Sequence, residues 1–149
     1  PIYALHDTDA TVRRLATEAL WTVWFRAGTD EQNERLKEVV ALRKRGSFNE
    51  AIDLVTQIID DAPEYAEAYN QRAYALYQIG QYRYSIKDCR RALDFNPFHF
   101  AAATGMGNCY WRLGRRSDAL QAFRQALDIN PSSTLLRDSI YASEEALRK

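Results

Sequence analysis

No run of eighteen apolar residues occurs anywhere in this 149-residue chain, so no segment reads as a membrane-spanning helix. Net charge is also absent. Twenty basic and twenty acidic residues cancel, which removes the global field that would draw nucleic acid or an anionic membrane surface. Only two cysteines are present, Cys89 and Cys109, too few for a disulfide framework and not spaced as a metal site. Both sit among apolar neighbours on helical patterns and read as reduced core thiols, pointing to a reducing, cytoplasmic-type compartment, an organelle stroma included. The two histidines, His6 and His99, lack metal-ligating neighbours at a usable spacing. His99 follows Pro97 closely and reads as a turn residue. The sole methionine is Met106 and the first residue is Pro1, so the expectation is a fragment or processed form, with targeting information lying outside it.

Chemistry-bearing motifs are scarce as well. Gly105-Met106-Gly107-Asn108 falls inside a helical pattern rather than after a strand, so it is not a phosphate loop, and its glycines suit close helix packing. Asp60-Asp61 reads as a solvated helix end. No nucleophile, base and orienting group recur together. The chain is expected to be non-enzymatic, with no cofactor and no metal.

What the chain does have is a period. Ala66 to Pro97 reads as two amphipathic helices, with Tyr69, Ala73, Leu76 and Tyr77 at helical spacing before a turn at Gly80-Gln81, and Ile86, Cys89, Ala92 and Leu93 after it. Ala73 and Ala92 permit close approach, and Gly80 supplies the left-handed backbone that ends the first helix. Gly46, Gly80 and Gly114 stand 34 residues apart, as do Pro63, Pro97 and Pro131. Ala51, Ser85 and Ala119 share one register, and Ile58, Ala92 and Ala126 another. Phe48 matches Tyr82, and Leu42, Leu76 and Tyr110 coincide. A helix–turn–helix unit with this period, a glycine turn and a closing proline resembles the tetratricopeptide repeat family. The resemblance implies an all-α fold, an α-solenoid of stacked hairpins, with repeats at 32–65, 66–99 and 100–133.

The copies are unequal. In the first, Arg35 and Glu38 stand where apolar residues are usual, and Leu36, Val39 and Leu42 carry the stripe. In the third, Arg116 replaces an expected aromatic, which predicts a looser turn. Residues 134–149 read as a capping helix begun at Ser132 or Ser133, with Leu136, Ile140 and Leu147 turned inward. Residues 1–31 do not obey the period. Thr8 or Asp9 can cap a helix that runs to about Arg26 and stops at Gly28, with Val12, Leu15, Ala16, Ala19, Leu20, Val23 and Trp24 as its stripe and Trp21 and Phe25 widening it. Its opening is similar to the start of a HEAT-type helix. Such a segment either shields the first repeat or lies in the groove.

The repeat resemblance also implies a concave face lined by the first helix of each hairpin. By position, the first repeat would contribute Asn33, Leu36, Val40, Arg43 and Lys44; the second Glu67, Asn70, Tyr74, Tyr77 and Gln78; the third Ala101, Thr104, Asn108, Trp111 and Arg112. Arg43, Lys44, Asn70, Tyr74, Tyr77, Asn108, Trp111 and Arg112 are the candidate partner-binding residues. Asparagine suits an extended backbone because it donates and accepts together, and arginine can fork a carboxylate. Tyr77 and Trp111 have an alternative, packing between helices. Residues 66–133 carry nine basic against five acidic side chains and residues 1–65 eight against twelve, so the central repeats are mildly basic. A protein or peptide partner with acidic residues is expected. The clamp by which some family members hold heat-shock chaperone tails would fall on Leu36, Val40, Ala101 and Gly105, which cannot form it. Two other readings stand beside the adaptor: a structural module that is a segment of a longer solenoid or self-associates through exposed ends, and an RNA binder. The period of 34 and the lack of a basic stripe argue against the last.

Overall fold

Helix boundaries follow from caps and turns that the chain supplies at regular intervals. The computed structural model describes residues 2–148. After a 3₁₀ turn at Tyr3–His6, eight helices follow among the described residues: α1 Ala10–Phe25, α2 Asp30–Lys44, α3 Phe48–Asp61, α4 Ala66–Gln78, α5 Tyr82–Phe95, α6 Phe100–Arg112, α7 Arg116–Ile129 and α8 Thr134–Arg148. Asp9 caps α1 by accepting from the Thr11 amide at 2.7 Å. Thr29 and Gln32 form a reciprocal capping box at the start of α2, satisfying two amides that the helix leaves unpaired.

Inside each hairpin the turn is the same. Gly46, Gly80 and Gly114 take φ of 80, 79 and 75°, the left-handed region in which a side chain is strained. Between hairpins, Ala62, Asn96 and Asn130 precede the prolines at φ of −138, −139 and −126°, because a proline ring excludes helical backbone from the residue before it. Arg116 does not loosen the third turn. Its guanidinium lies 3.9 Å above the Trp111 ring and donates to the Trp111 carbonyl, so a stacked cation takes the place of the missing aromatic.

The helices stack in order, each hairpin against the next, and α8 closes the far end against α7. Leu36, Val39 and Leu42 of α2 pack with Val55 and Ile58 of α3 and Tyr69 and Ala73 of α4 in one core. Tyr110, Ala119, Phe123 and Leu136 anchor a second. Small residues set the spacing. A Cβ at Gly107 would sit 2.5 Å from the Phe123 ring, and the Ser85 hydroxyl donates to the Ala73 carbonyl at 2.7 Å while accepting from the Cys109 thiol at 3.1 Å. Both cysteines are buried and free.

The amphipathic stripes of the terminal helices are only partly used. In α1, Ala16, Leu20 and Trp24 are buried while Leu15 and Val23 face solvent. In α8, Leu136 is buried but Leu147 is half exposed, correcting the expectation that it turns inward. More consequential is where α1 goes. It packs over the first turns of α4 and α6, on the inner side formed by α2, α4 and α6, instead of lying along α2.

Candidate functional site

A cavity of about 550 Å³ opens on the inner face between α2, α4 and α6, walled by Trp21 of α1 at one side and Leu136 of α8 at another. Of the eight residues expected from sequence, five line it: Arg43, Asn70, Tyr74, Tyr77 and Asn108. Trp111 borders a neighbouring depression with Asn108 and Leu135, beneath the Arg116 guanidinium. Arg112 lies outside both and packs its cation 5.4 Å from the Tyr82 ring. Lys44 is exposed beyond the cavity's edge. Leu36, assigned to the groove by register, is fully buried in the core, where it packs with Val39 and Leu42 of the same helix against α3 and α4.

The cavity's charge is one-sided. Arg43 lines it and no acidic side chain does among the described residues. The guanidinium carbon of Arg43 stacks 3.6 Å from the Tyr74 ring centre, and one of its terminal nitrogens donates to Gln71 Oε1. Its Nε is buried without a partner, and burial pushes this guanidinium below its ordinary value.

Beneath the wall runs a polar chain that the sequence reading missed. Gln71 passes its other amide end to Glu67 Oε1, and Asn70 donates to the same oxygen at 3.1 Å. Glu67 Oε2 lies 2.8 Å from His99 Nε2, and neither side chain is exposed at all. His99 therefore stands in the turn before α6, as expected, but with its ring wholly buried. Its Nδ1 accepts from the Ala102 amide at 3.2 Å, capping α6. An Nδ1 that accepts cannot carry a proton, so Nε2 bears the hydrogen and donates it to Glu67. Glu67, placed in the groove by register, lies under it for this reason. The chain from Arg43 to His99 thus ties α2, α4 and α6 together.

α1 is the roof of that chain. Trp24 stacks on the His99 imidazole with ring centres 4.2 Å apart and planes 17° from parallel. Trp21 meets Phe100 edge to face at 5.8 Å. Arg13 reaches Ser132 at 2.7 Å, and the Tyr65 hydroxyl donates to the Phe25 carbonyl at 2.9 Å. One signal in the sequence could have found His99. The 34-residue register aligns it with Tyr65 and Ser133, both directly before a repeat's first helix, and Ser133 likewise accepts an amide hydrogen, from Leu136 at 3.3 Å.

Among the described residues no cluster of histidine, cysteine and carboxylate could hold a metal ion, and no helix is long and apolar enough to cross a membrane. Burial holds the Cys89 thiol well above its ordinary range, which suits packing rather than nucleophilic attack.

Comparison with known proteins agrees with the geometry. The chain is 39% identical over 56 residues to a TPR repeat-containing protein of Rhizobium etli, a match covering 38% of this chain and 28% of that one. It is 32% identical over 89 residues to an inactive TPR repeat-containing thioredoxin of Arabidopsis thaliana, covering 59% of this chain and 13% of the other. The chain thus spans well under two-thirds of the length of these relatives. Among solved structures, the first TPR of Spaghetti bound to an HSP90 peptide superposes with a TM-score of 0.79 at 20% identity, covering 82% of this chain and 97% of that one. The family model described as tetratricopeptide repeat matches residues 36–98 and 71–134. Three hairpins with one turn geometry, a shared inner face and that match establish that this chain belongs to the tetratricopeptide repeat family.

Proposed function

We propose that this chain is a non-enzymatic protein-interaction module that takes a short peptide segment with an acidic residue into the inner-face cavity. The carrying observation is the lining itself: one cation, several amides, aromatic walls and no carboxylate among the described residues. Asn70 and Asn108 stand on successive first helices, where amides can pair with the backbone of an extended segment. Tyr74, 44% exposed, offers a rigid aromatic surface held flat by Arg43. The family's habit of binding peptides supports the class of ligand; Spaghetti's first TPR is one such case.

The particular ligand differs from that peptide. The positions of the chaperone-tail clamp are Leu36, Val40, Ala101 and Gly105 here, with Leu36 wholly buried and no cation among them. The peptide SRMEEVD should show no saturable binding to this chain.

Selection from a displayed random peptide library tests the reading. The wild-type chain should enrich sequences that share an acidic residue beside a bulky apolar one, and an Asn70→Ala/Asn108→Ala variant with unchanged helicity should not. Enrichment of the same peptides by both, or of none by the wild type, would sink it.

A second reading rests on α8, where Leu135 is 77% exposed and Tyr141 65% exposed. Such an end suits stacking against further helices, in a longer solenoid or a second copy. Light scattering over a concentration series decides the copy-to-copy version: a constant monomer mass refutes it.

A further inference from the structure

α1 is held differently from the repeat helices. Each hairpin helix packs along its length against neighbours on two sides, while α1 sits on the inner face by one edge, through Ala16, Leu20, Trp21 and Trp24, and is pinned near its ends by Arg13 to Ser132 and by Tyr65 to the Phe25 carbonyl. Its opposite edge leaves Leu15 and Val23 in solvent. The chain joins α1 to α2 through residues 26–29, and the surface under it sets apolar Phe100 and Ile129 beside the hydrogen-bonded Glu67 and His99. Glu67 and His99 are hydrogen-bonded to each other and to α4 and α6, so they do not depend on α1 for partners.

We infer that the seat of α1 is an exchangeable helix-docking surface: an amphipathic helix of a partner protein, carrying two aromatic residues one turn apart, displaces α1 from Glu67, His99 and Phe100. The inference rests on the reading of the inner face as a partner-binding surface. α1 itself is the template for the occupant. Its Trp21 and Trp24, three residues apart, meet Phe100 and His99, and a partner helix must present the same spacing. Because Trp21 is also a wall of the 550 Å³ cavity, exchange would widen that cavity toward Ala101 and join the two surfaces. The short tether gives α1 a local concentration on the order of millimolar, which a free helix must overcome. Weak partners are thereby excluded and α1 acts as a threshold.

Two measurements on the full chain test this. In native-state hydrogen exchange, amides of residues 10–25 should exchange at least about tenfold faster than those of α4 to α7, as expected of an element that leaves before the fold opens. A labelled peptide of residues 8–27 should bind a Trp21→Ala/Trp24→Ala chain, followed by anisotropy, and bind the wild type at least about tenfold more weakly, since the native α1 competes in cis. Adding Phe100→Ala to that chain, with helicity unchanged, should weaken the binding at least about tenfold. If the double variant misfolds, Trp24→Ala alone serves. Exchange of α1 only together with α4 to α7 would overturn the inference, and so would a peptide that binds neither chain. Neither failure touches peptides selected through Asn70 and Asn108, which belong to the cavity.

Discussion

Gly80 and His99 show two ways in which one residue holds a repeat together. A Cβ built on Gly80 meets nothing within 4 Å, so the obstacle to substitution is backbone conformation alone. Gly80→Ala should cost about 1–2 kcal/mol in urea denaturation with an unchanged m-value. Gly107 is the opposite case, with ordinary helical backbone and no space. His99 is held by chemistry. Removing its ring strips a helix cap and leaves Glu67 buried without its donor, so His99→Ala should cost roughly 3–5 kcal/mol. Glu67→Gln keeps an acceptor for His99 Nε2 only by turning its own amide N–H toward the Asn70 and Gln71 donors, so it should also destabilise the chain, by about 1–3 kcal/mol in urea denaturation; a Glu67→Gln chain as stable as wild type would refute the all-donor network around this carboxylate. Burial, and next the neighbouring Cys109, raise the Cys89 thiol, and burial followed by the Glu67 charge raises the Tyr65 phenol. The fold keeps these protons where the unfolded chain loses them, above about pH 8.5 for cysteine and about 10 for tyrosine. Their contribution is therefore complete below that window and declines as pH rises through it. The melting temperature of Cys89→Ala should fall less steeply between those limits than that of the wild type.

Among the elements, α4 and α5 carry the most repetitive design, and they were also the most legible in the sequence. Ser85 stands where Ala51 and Ala119 stand, because helices crossing at that point leave room only for a small side chain. A register imposed by packing repeats with the packing, which is why glycines, prolines and small residues disclosed the hairpins. Asp88 adds a feature outside the register. It forks the Arg72 guanidinium at 2.7 and 2.9 Å, and Arg72 also reaches Thr56 on α3 at 3.2 Å. Asp88→Ala should destabilise the chain by roughly 2–3 kcal/mol, because Arg72 stays half-buried and loses its acceptor. A double-mutant cycle with Arg72→Ala measures the coupling. The seat of α1 could not be read from its sequence. Its apolar stripe states that a surface is covered but not which one, and the surface was assembled from Glu67, His99 and Phe100, remote along the chain. His99 was missed for the same reason, since its burial depends on Trp24.

For the whole molecule, the inner face is divided. One half is occupied by the chain's own helix and the other holds a cavity with a single cation. Register alone located Asn70, Tyr74 and Asn108, but it also assigned Leu36 and Glu67 to a surface they lie beneath. Position in a repeat fixes direction; it does not fix what covers a side chain. Binding by the whole chain should therefore be sensitive to both halves, with Asn70→Ala/Asn108→Ala weakening a selected peptide by at least about tenfold while Lys44→Ala leaves it unchanged.

The stacking of Trp24 on His99 also gives the protein an optical gauge. Two of the three indoles, Trp21 and Trp24, belong to α1, while Trp111 sits apart under the Arg116 guanidinium. An indole that leaves an aromatic seat for water emits at longer wavelength, and a Trp111→Phe chain would report α1 alone. Departure of that helix becomes visible as a colour change without any added label.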